Sequence, residues 1–279
     1  MKKLFINKSV TLSGRNFWGQ RSSITFEPSL EEGWHWKIFD REIGKFCHFP
    51  IIPGLVAHSN QNLYLKYHDQ KLHVYEHIGP LRFTGITGVV ISSSASWPPY
   101  LTTGEMFEAL QKENALTESS DEIEFFSLAN ASWSYKDRCG STSTFRHPSS
   151  EKQGIIAEVI IDYPGIGRHE KSYFTQDEKV LHSAFIAGPQ GYPKERYVAS
   201  KIANLFGWPH HERVVWPQIY GRKEALKLFS EHRFVDILGA LSILDNKMLP
   251  SGKVVSHCSG HLADYEIIKS HISSIVSLV

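Results

Sequence analysis

Charge of either sign is not in excess. Lys and Arg number 30 and Asp and Glu 29, leaving a formal net charge of +1. That gives a nucleic-acid backbone or an anionic membrane surface no electrostatic footing, so no nucleic-acid partner is expected. Cysteine is scarce: Cys47, Cys139 and Cys258 are odd in number and widely spaced. With no C-x-x-C pair, neither a disulfide framework nor a cysteine zinc knuckle fits. No run approaches the roughly 18 apolar residues of a membrane-spanning helix, so no integral membrane segment is expected. The opening M-K-K-L-F-I-N-K-S turns polar too early for a signal peptide. Short-period repeats and low-complexity tracts are lacking as well. These absences point to a cytoplasmic, soluble chain. What is present is an ordinary 41% of hydrophobic residues over 279 positions, enough for one large domain or two of average size.

One stretch stands out, Ser230 to Leu244, S-E-H-R-F-V-D-I-L-G-A-L-S-I-L. Phe234, Val235, Ile237, Leu238, Leu241, Ile243 and Leu244 predict a core helix with a wide apolar side. His232 and Asp236 do not belong in such a core. Four apart, they stack one turn above the other and point the same way. Gly239 and Ala240 beside them are small enough to let another backbone come close. The pair reads either as half of a metal site or as a His–Asp contact that satisfies itself inside the core.

Around this helix the chain predicts strands first. Lys3–Leu12 and Ser22–Phe26 form a hairpin split by Ser13-Gly14-Arg15-Asn16. Trp34–Phe39, Leu63–Leu65 and Gly88–Ser92 are further strands. A helix is predicted from Glu76 or His77 to about Phe83, with Pro80 in its first turn, and another over Gly104–Lys112. The polar, acidic Glu113–Glu122 is the best domain boundary, dividing the chain into 1–117, carrying Glu76 and His77, and 118–279, carrying His232, Asp236 and His261. The second part predicts strands at Ile123–Trp133, Ile155–Tyr163 and Lys253–Cys258, and helices at Gln176–Ala187 and Leu262–Leu278. His210 and His211 read as ordinary loop residues. Strands and helices in separate blocks argue α+β rather than a doubly wound parallel sheet.

Three places carry ionisable groups at helix starts or on an apolar face: Glu76-His77, His232/Asp236 and His261. Zinc hydrolases use three protein ligands, often two His and one carboxylate, and leave a fourth position open. His77, His232 and Asp236 fill that quota. Glu76 stands just before a ligand, as the base does in H-E-x-x-H enzymes. His261, after Gly260, can deliver a proton to a departing amine. Each also has a plain reading: Glu76 as a first-turn acid, His261 as a cap or packed strand end.

The segments V-Y-E-H-I, H-R-F-V-D-I-L-G-A-L and S-G-H-L resemble the three signatures of the bacterial UDP-3-O-acyl-N-acetylglucosamine deacetylases, the zinc amidases of lipid A biosynthesis. The family pattern is V-E-H, H-K-x-L-D-x-x-G-D and S-G-H-A, in this order. The spacing of about 155 residues from His77 to His232 and about 29 from there to His261 fits it. Lesser similarity lies at Ser13-Gly14, Phe39-Asp40-Arg41 and Ile161-Asp162-Tyr163-Pro164. The resemblance implies two similar domains, each a sheet with two helices, the helices sandwiched between the sheets and the site at the junction. It implies zinc on His77, His232 and Asp236, Glu76 as general base and His261 as general acid or electrostatic partner. Two imidazoles and a carboxylate suit Fe(II) as well. Arg233 and Phe185 fall at positions that the resemblance assigns to the substrate, a nucleotide-linked amino-sugar bearing an acyl chain. An acyl slot would be bounded by residues 183 to 197. A monomer is expected.

The departures from the pattern are specific. The family's second Asp, which orients the catalytic His, is Ala240 here; Asp264, three residues past His261, is a candidate substitute for that partner, although on a helix its side chain is expected to face solvent. The family's Lys is Arg233, which is not interchangeable with it. Trp18 stands where an opening His is expected, and Ser183-Ala184-Phe185 lacks the Thr that polarises the substrate carbonyl. The pattern suits a divergent deacetylase; the alternative is a catalytically impaired descendant that binds zinc and a sugar-nucleotide ligand.

Overall fold

The computed structural model describes residues 1–59, 62–73, 77–127, 133–136, 140–146, 153–163, 166–185, 194–206 and 217–276. Glu76, His210, His211 and most of the expected acyl-slot segment lie outside them, as does the side chain of Phe185, whose backbone lies in a helix.

The chain begins with β1 (Lys2–Ile6), β2 (Val10–Arg15), β3 (Arg21–Pro28), β4 (Trp34–Asp40), β5 (Lys45–Pro50), β6 (Val56–Ser59), β7 (Asn62–Tyr67) and β8 (Gln70–Leu72). A 3-10 turn at Gly79–Thr84 leads to β9 (Ile86–Thr87), β10 (Val89–Ser93), α1 (Thr103–Lys112) and β11 (Leu116–Glu122). β10 is the centre of a five-stranded sheet ordered β2-β3-β10-β4-β5, and Val89, Val90 and Ile91 are all buried. The single strand expected over Lys3–Leu12 is in fact two, and they enter different sheets. The hairpin turn moves on to residues 16–20, where the buried Asn16 Oδ1 accepts from the backbone N–H of Trp18 at 3.0 Å and of Gln20 at 3.1 Å, a side chain standing in for a backbone turn. The helix expected from His77 is only the 3-10 turn, ended by Gly85 at φ 94 in the left-handed region.

The second part adds β12 (Phe125–Ser127), β13 (Trp133–Lys136), β14 (Thr142–Arg146), β15 (Ile155–Tyr163), β16 (Gly167–Phe174), α2 (Glu178–Phe185), α3 (Lys194–Leu205), α4 (Pro217–Tyr220), α5 (Arg222–Leu241), β17 (Leu249–His257) and α6 (His261–Val276). Its sheet runs β13-β14-β17-β15-β16, with β12 beside β17. β15 alternates inward Ile155, Ala157, Val159 and Ile161 with less buried residues, the period of a strand covered on one face. Thus the fold is mixed α+β, with four sheets among the described residues.

α5 is the helix centred on the His232 stretch, and it starts eight residues earlier than Ser230. Its first turns, Arg222-Lys223-Glu224, are polar and exposed, so they carry no apolar period. From Ala225 onward the helix is buried almost all round. It packs on β15, β16, α2, α6 and the 3-10 turn, and Tyr173 of β16 stacks on Phe234 with ring centres 4.7 Å apart. The acidic stretch expected to link domains is strand β11, paired antiparallel with β1. The division at 117/118 therefore falls inside a strand, and one contiguous hydrophobic core runs from Ile6 to Ile268.

Candidate metal centre

His77 and the α5 residues come together because two backbones touch. Gly79, two residues after His77, lies against α5: a Cβ there would overlap the Ser242 hydroxyl and stand 3.1 Å from the Gly239 carbonyl oxygen. Small Gly239 thus admits a backbone, and that backbone belongs to the His77 segment. Arg82 completes the joint. Only 4% exposed, it donates to the carbonyls of Ser242 and Asp245, and to those of Asn246 at 3.0 Å and Met248 at 3.2 Å. These are the carbonyls at and beyond the C-terminal end of α5, which a helix leaves without internal partners. Burial lowers the Arg82 pKa to about 10 against the opposing pull of Asp245, so it is a cation at neutral pH, set where the helix dipole favours one.

The result is that His77 and His232 face each other with ring centres 6.3 Å apart and planes inclined by 48°. Tyr100 meets the His77 ring edge-on at 5.0 Å, and Thr103 Oγ1 donates to the His77 carbonyl at 2.7 Å. His232 Nε2 stands 3.8 Å from Asp236 Oδ1, as the four-residue spacing requires. The His232 Nδ1 is buried and makes no hydrogen bond among the described residues.

An ion held by two imidazoles at about 2.0–2.1 Å keeps their ring centres roughly 5–6 Å apart, and neighbouring donor atoms about 3.4 Å apart. The His232–Asp236 separation of 3.8 Å is a few tenths of an ångström wider than that, and the His77–His232 ring separation of 6.3 Å lies beyond the range. As the side chains stand, no set of three or more His, Cys, Asp or Glu among the described residues is closed around one ion. The donor types, two imidazoles and a carboxylate, are those that zinc or iron takes, but the triangle is open.

Arg233, beside His232 in sequence, is not turned out towards a substrate. It is 4% exposed and makes four hydrogen bonds: two to Asp264 at 2.6 Å each, one from Nε to Ser256 Oγ at 3.1 Å and one to Ser259 Oγ at 3.1 Å. A fork committed in this way, with an Arg233–Asp236 contact at 3.8 Å, anchors α5 to β17 and α6. This corrects the solvent position expected for Asp264, which is fully buried. Burial alone would raise its pKa, but the charge and hydrogen bonds of Arg233, and then His261, outweigh that and hold the carboxyl well below the usual carboxylate range.

His261 opens α6 with its side chain 20% exposed and its Nδ1 3.8 Å from Asp264 Oδ2. A residue missed in the sequence, His58 of β6, lies on the other side. Its ring stacks on Tyr265 at 5.4 Å; burial lowers its pKa, the charge of His261 lowers it further and Glu266 opposes. A continuous run of contacts, His77–His232–Asp236–Arg233–Asp264–His261, joins both parts of the chain.

Asp264 did leave a signal. It precedes Ile267 by three and Ile268 by four residues, both buried, and that spacing puts it on their face of α6. His58, in a short strand, left none. Comparison of the chain with family models and with curated protein sequences matches none. Among the described residues no helix is long and apolar enough to cross a membrane.

Proposed function

We propose that the chain is a zinc-dependent amidohydrolase that removes an acetyl (acyl) group from an N-acetylated amino-sugar, UDP-3-O-acyl-N-acetylglucosamine or a related nucleotide sugar. The observation that carries this reading is the meeting of His77 with His232, about 155 residues apart in sequence, beside the carboxylate of Asp236. That is the ligand set read from the three motifs. The two-domain sandwich of the deacetylases, a monomeric state and a cytoplasmic setting belong to the same reading.

His77, His232 and Asp236 would hold the ion, with iron as the alternative to zinc. A divalent ion there supplies Lewis-acid polarisation of a carbonyl and brings the pKa of a water towards about 7. Glu76 takes the proton of the attacking water as its oxygen bonds to the amide carbon. His261 gives a proton to the amine nitrogen as the C–N bond breaks, and acetate or a longer carboxylate leaves. Phe185 belongs to the substrate contacts in this reading. Arg233, held by Asp264, supports the site through its neighbours rather than by gripping a phosphate.

The impaired-descendant reading draws on one specific feature. Ala240, buried in α5, offers no carboxylate at the place where the family pattern has one, and single electrostatic groups in such sites can be worth ~10²–10³ in rate. The two readings part in one assay: deacetylation of UDP-3-O-acyl-N-acetylglucosamine by the zinc-loaded wild type and by Glu76→Gln. Turnover by the wild type and none by the variant, with zinc still bound to both, supports the hydrolase. Equal rates in both, or no turnover by the wild type, would leave the binding-protein reading.

A further inference from the structure

We infer that Asp264 is the carboxylate that positions His261, and that Arg233 holds Asp264 in place for it. The inference rests on the deacetylase reading and deepens it: the orienting acid that Ala240 lacks is supplied from another helix.

The geometry is specific. His261 and Asp264 are three residues apart at the start of α6, so both side chains leave the helix on one side. Asp264 has no exposure to solvent and cannot turn away. Arg233 takes both of its oxygens, Nη1 on Oδ2 and Nη2 on Oδ1, each at 2.6 Å. A two-pronged contact of this kind fixes the plane of the carboxylate. The oxygen shared with Nη1, Oδ2, is the one that faces His261 Nδ1 at 3.8 Å. The chain leading into His261 is tied to the same guanidinium, through the 3.1 Å bond to Ser259 Oγ and the 2.6 Å contact between Ser256 and Ser259. Cys258 just before it is held at φ 49, a left-handed conformation that a non-glycine residue adopts only when its surroundings impose it.

A carboxylate facing Nδ1 selects the imidazole tautomer with its proton there and leaves Nε2 for the reaction. It also favours the imidazolium, the form that donates to a departing amine. A titratable neighbour among the described residues is His58 from β6, itself near Glu266; a charge on His58 would act against the imidazolium. Asp264 is thus a positioning residue that acts through His261.

A buried ion pair kept only for stability would not choose a tautomer for His261, and that difference decides the test. The two ring nitrogens of His261 are followed by long-range nitrogen–proton NMR across a pH titration of the purified protein, wild type and Asp264→Asn. In the wild type, neutral His261 carries its proton on Nδ1. In Asp264→Asn the His261 titration midpoint moves to lower pH, and kcat falls by ~10-fold or more with KM little changed. A neutral wild-type His261 protonated on Nε2, or an unchanged midpoint in the variant, overturns the inference. If Asp264→Asn does not fold, the wild-type tautomer alone decides. A wild type with the Nδ1 tautomer but neither metal nor turnover would sink the deacetylase reading while leaving the positioning intact.

Discussion

Replacing Arg82 with Met probes the joint that brings the two parts of the site together. The side chain is buried, and its guanidinium serves four carbonyls at the end of α5 and in the turn after it. Met keeps most of the volume, so little cavity opens, but all four acceptors lose their donor. Each buried acceptor left without a partner costs ~1–3 kcal/mol. The carbonyls of Asp245, Asn246 and Met248 belong to part-buried bonds and can recruit water, which favours the low end. Relief of the guanidinium's own desolvation offsets a further share, so a net loss of about 3 kcal/mol is expected. For a chain of this size that corresponds to a fall in Tm of roughly 6–12 °C. Calorimetry reads the first number, and amide hydrogen exchange should quicken over residues 242–248. Because the 3-10 turn carrying Arg82 follows His77 directly, zinc affinity should fall with stability. A Tm change under ~2 °C with unchanged exchange in that turn would refute the reasoning.

Two further perturbations follow from the same contacts. Gly79→Ala places a methyl group against Ser242 and Gly239; overpacking of this kind costs ~1–3 kcal/mol, and since it pushes the His77 segment off α5 it should weaken zinc binding as well, which titration calorimetry would detect. Asp264→Ala leaves Arg233 buried without its partner and should cost ~3–5 kcal/mol, read as a lower midpoint in denaturant. The Asp264 pKa is depressed in the folded protein from the ordinary 3.8. The unfolded chain therefore takes up the proton first as pH falls, so this contribution is complete above about pH 4 and is lost progressively below it. Asp264→Ala should flatten the acid limb of wild-type stability against pH; an unaltered limb would contradict the assignment.

The legible parts of this chain were those where burial leaves a period. Strand β10 and the core of α5 are dense in Val, Ile, Leu and Phe, so both are marked in the sequence, whereas the polar first turn of α5 is not. The small residues Gly239 and Ala240 foretold a close approach without naming its source, because the partner, Gly79, lies far back in the sequence. β11 reads as a linker because it is an edge strand with polar residues on both faces, which erases alternation. The spacing of Asp264 to Ile267 and Ile268 places it on a buried face, but the charge that stabilises it there, Arg233, comes from another helix. Tertiary pairing of this sort leaves no local trace.

The most direct measurement is the metal content of the purified protein, by elemental analysis of the wild type beside Asp236→Ala. The account predicts close to one zinc or iron per wild-type chain and a large loss in the variant, with a Tm that rises on metal loading in the wild type alone. A wild type that takes up no divalent ion at saturating zinc, or a variant that holds as much as the wild type, would contradict it.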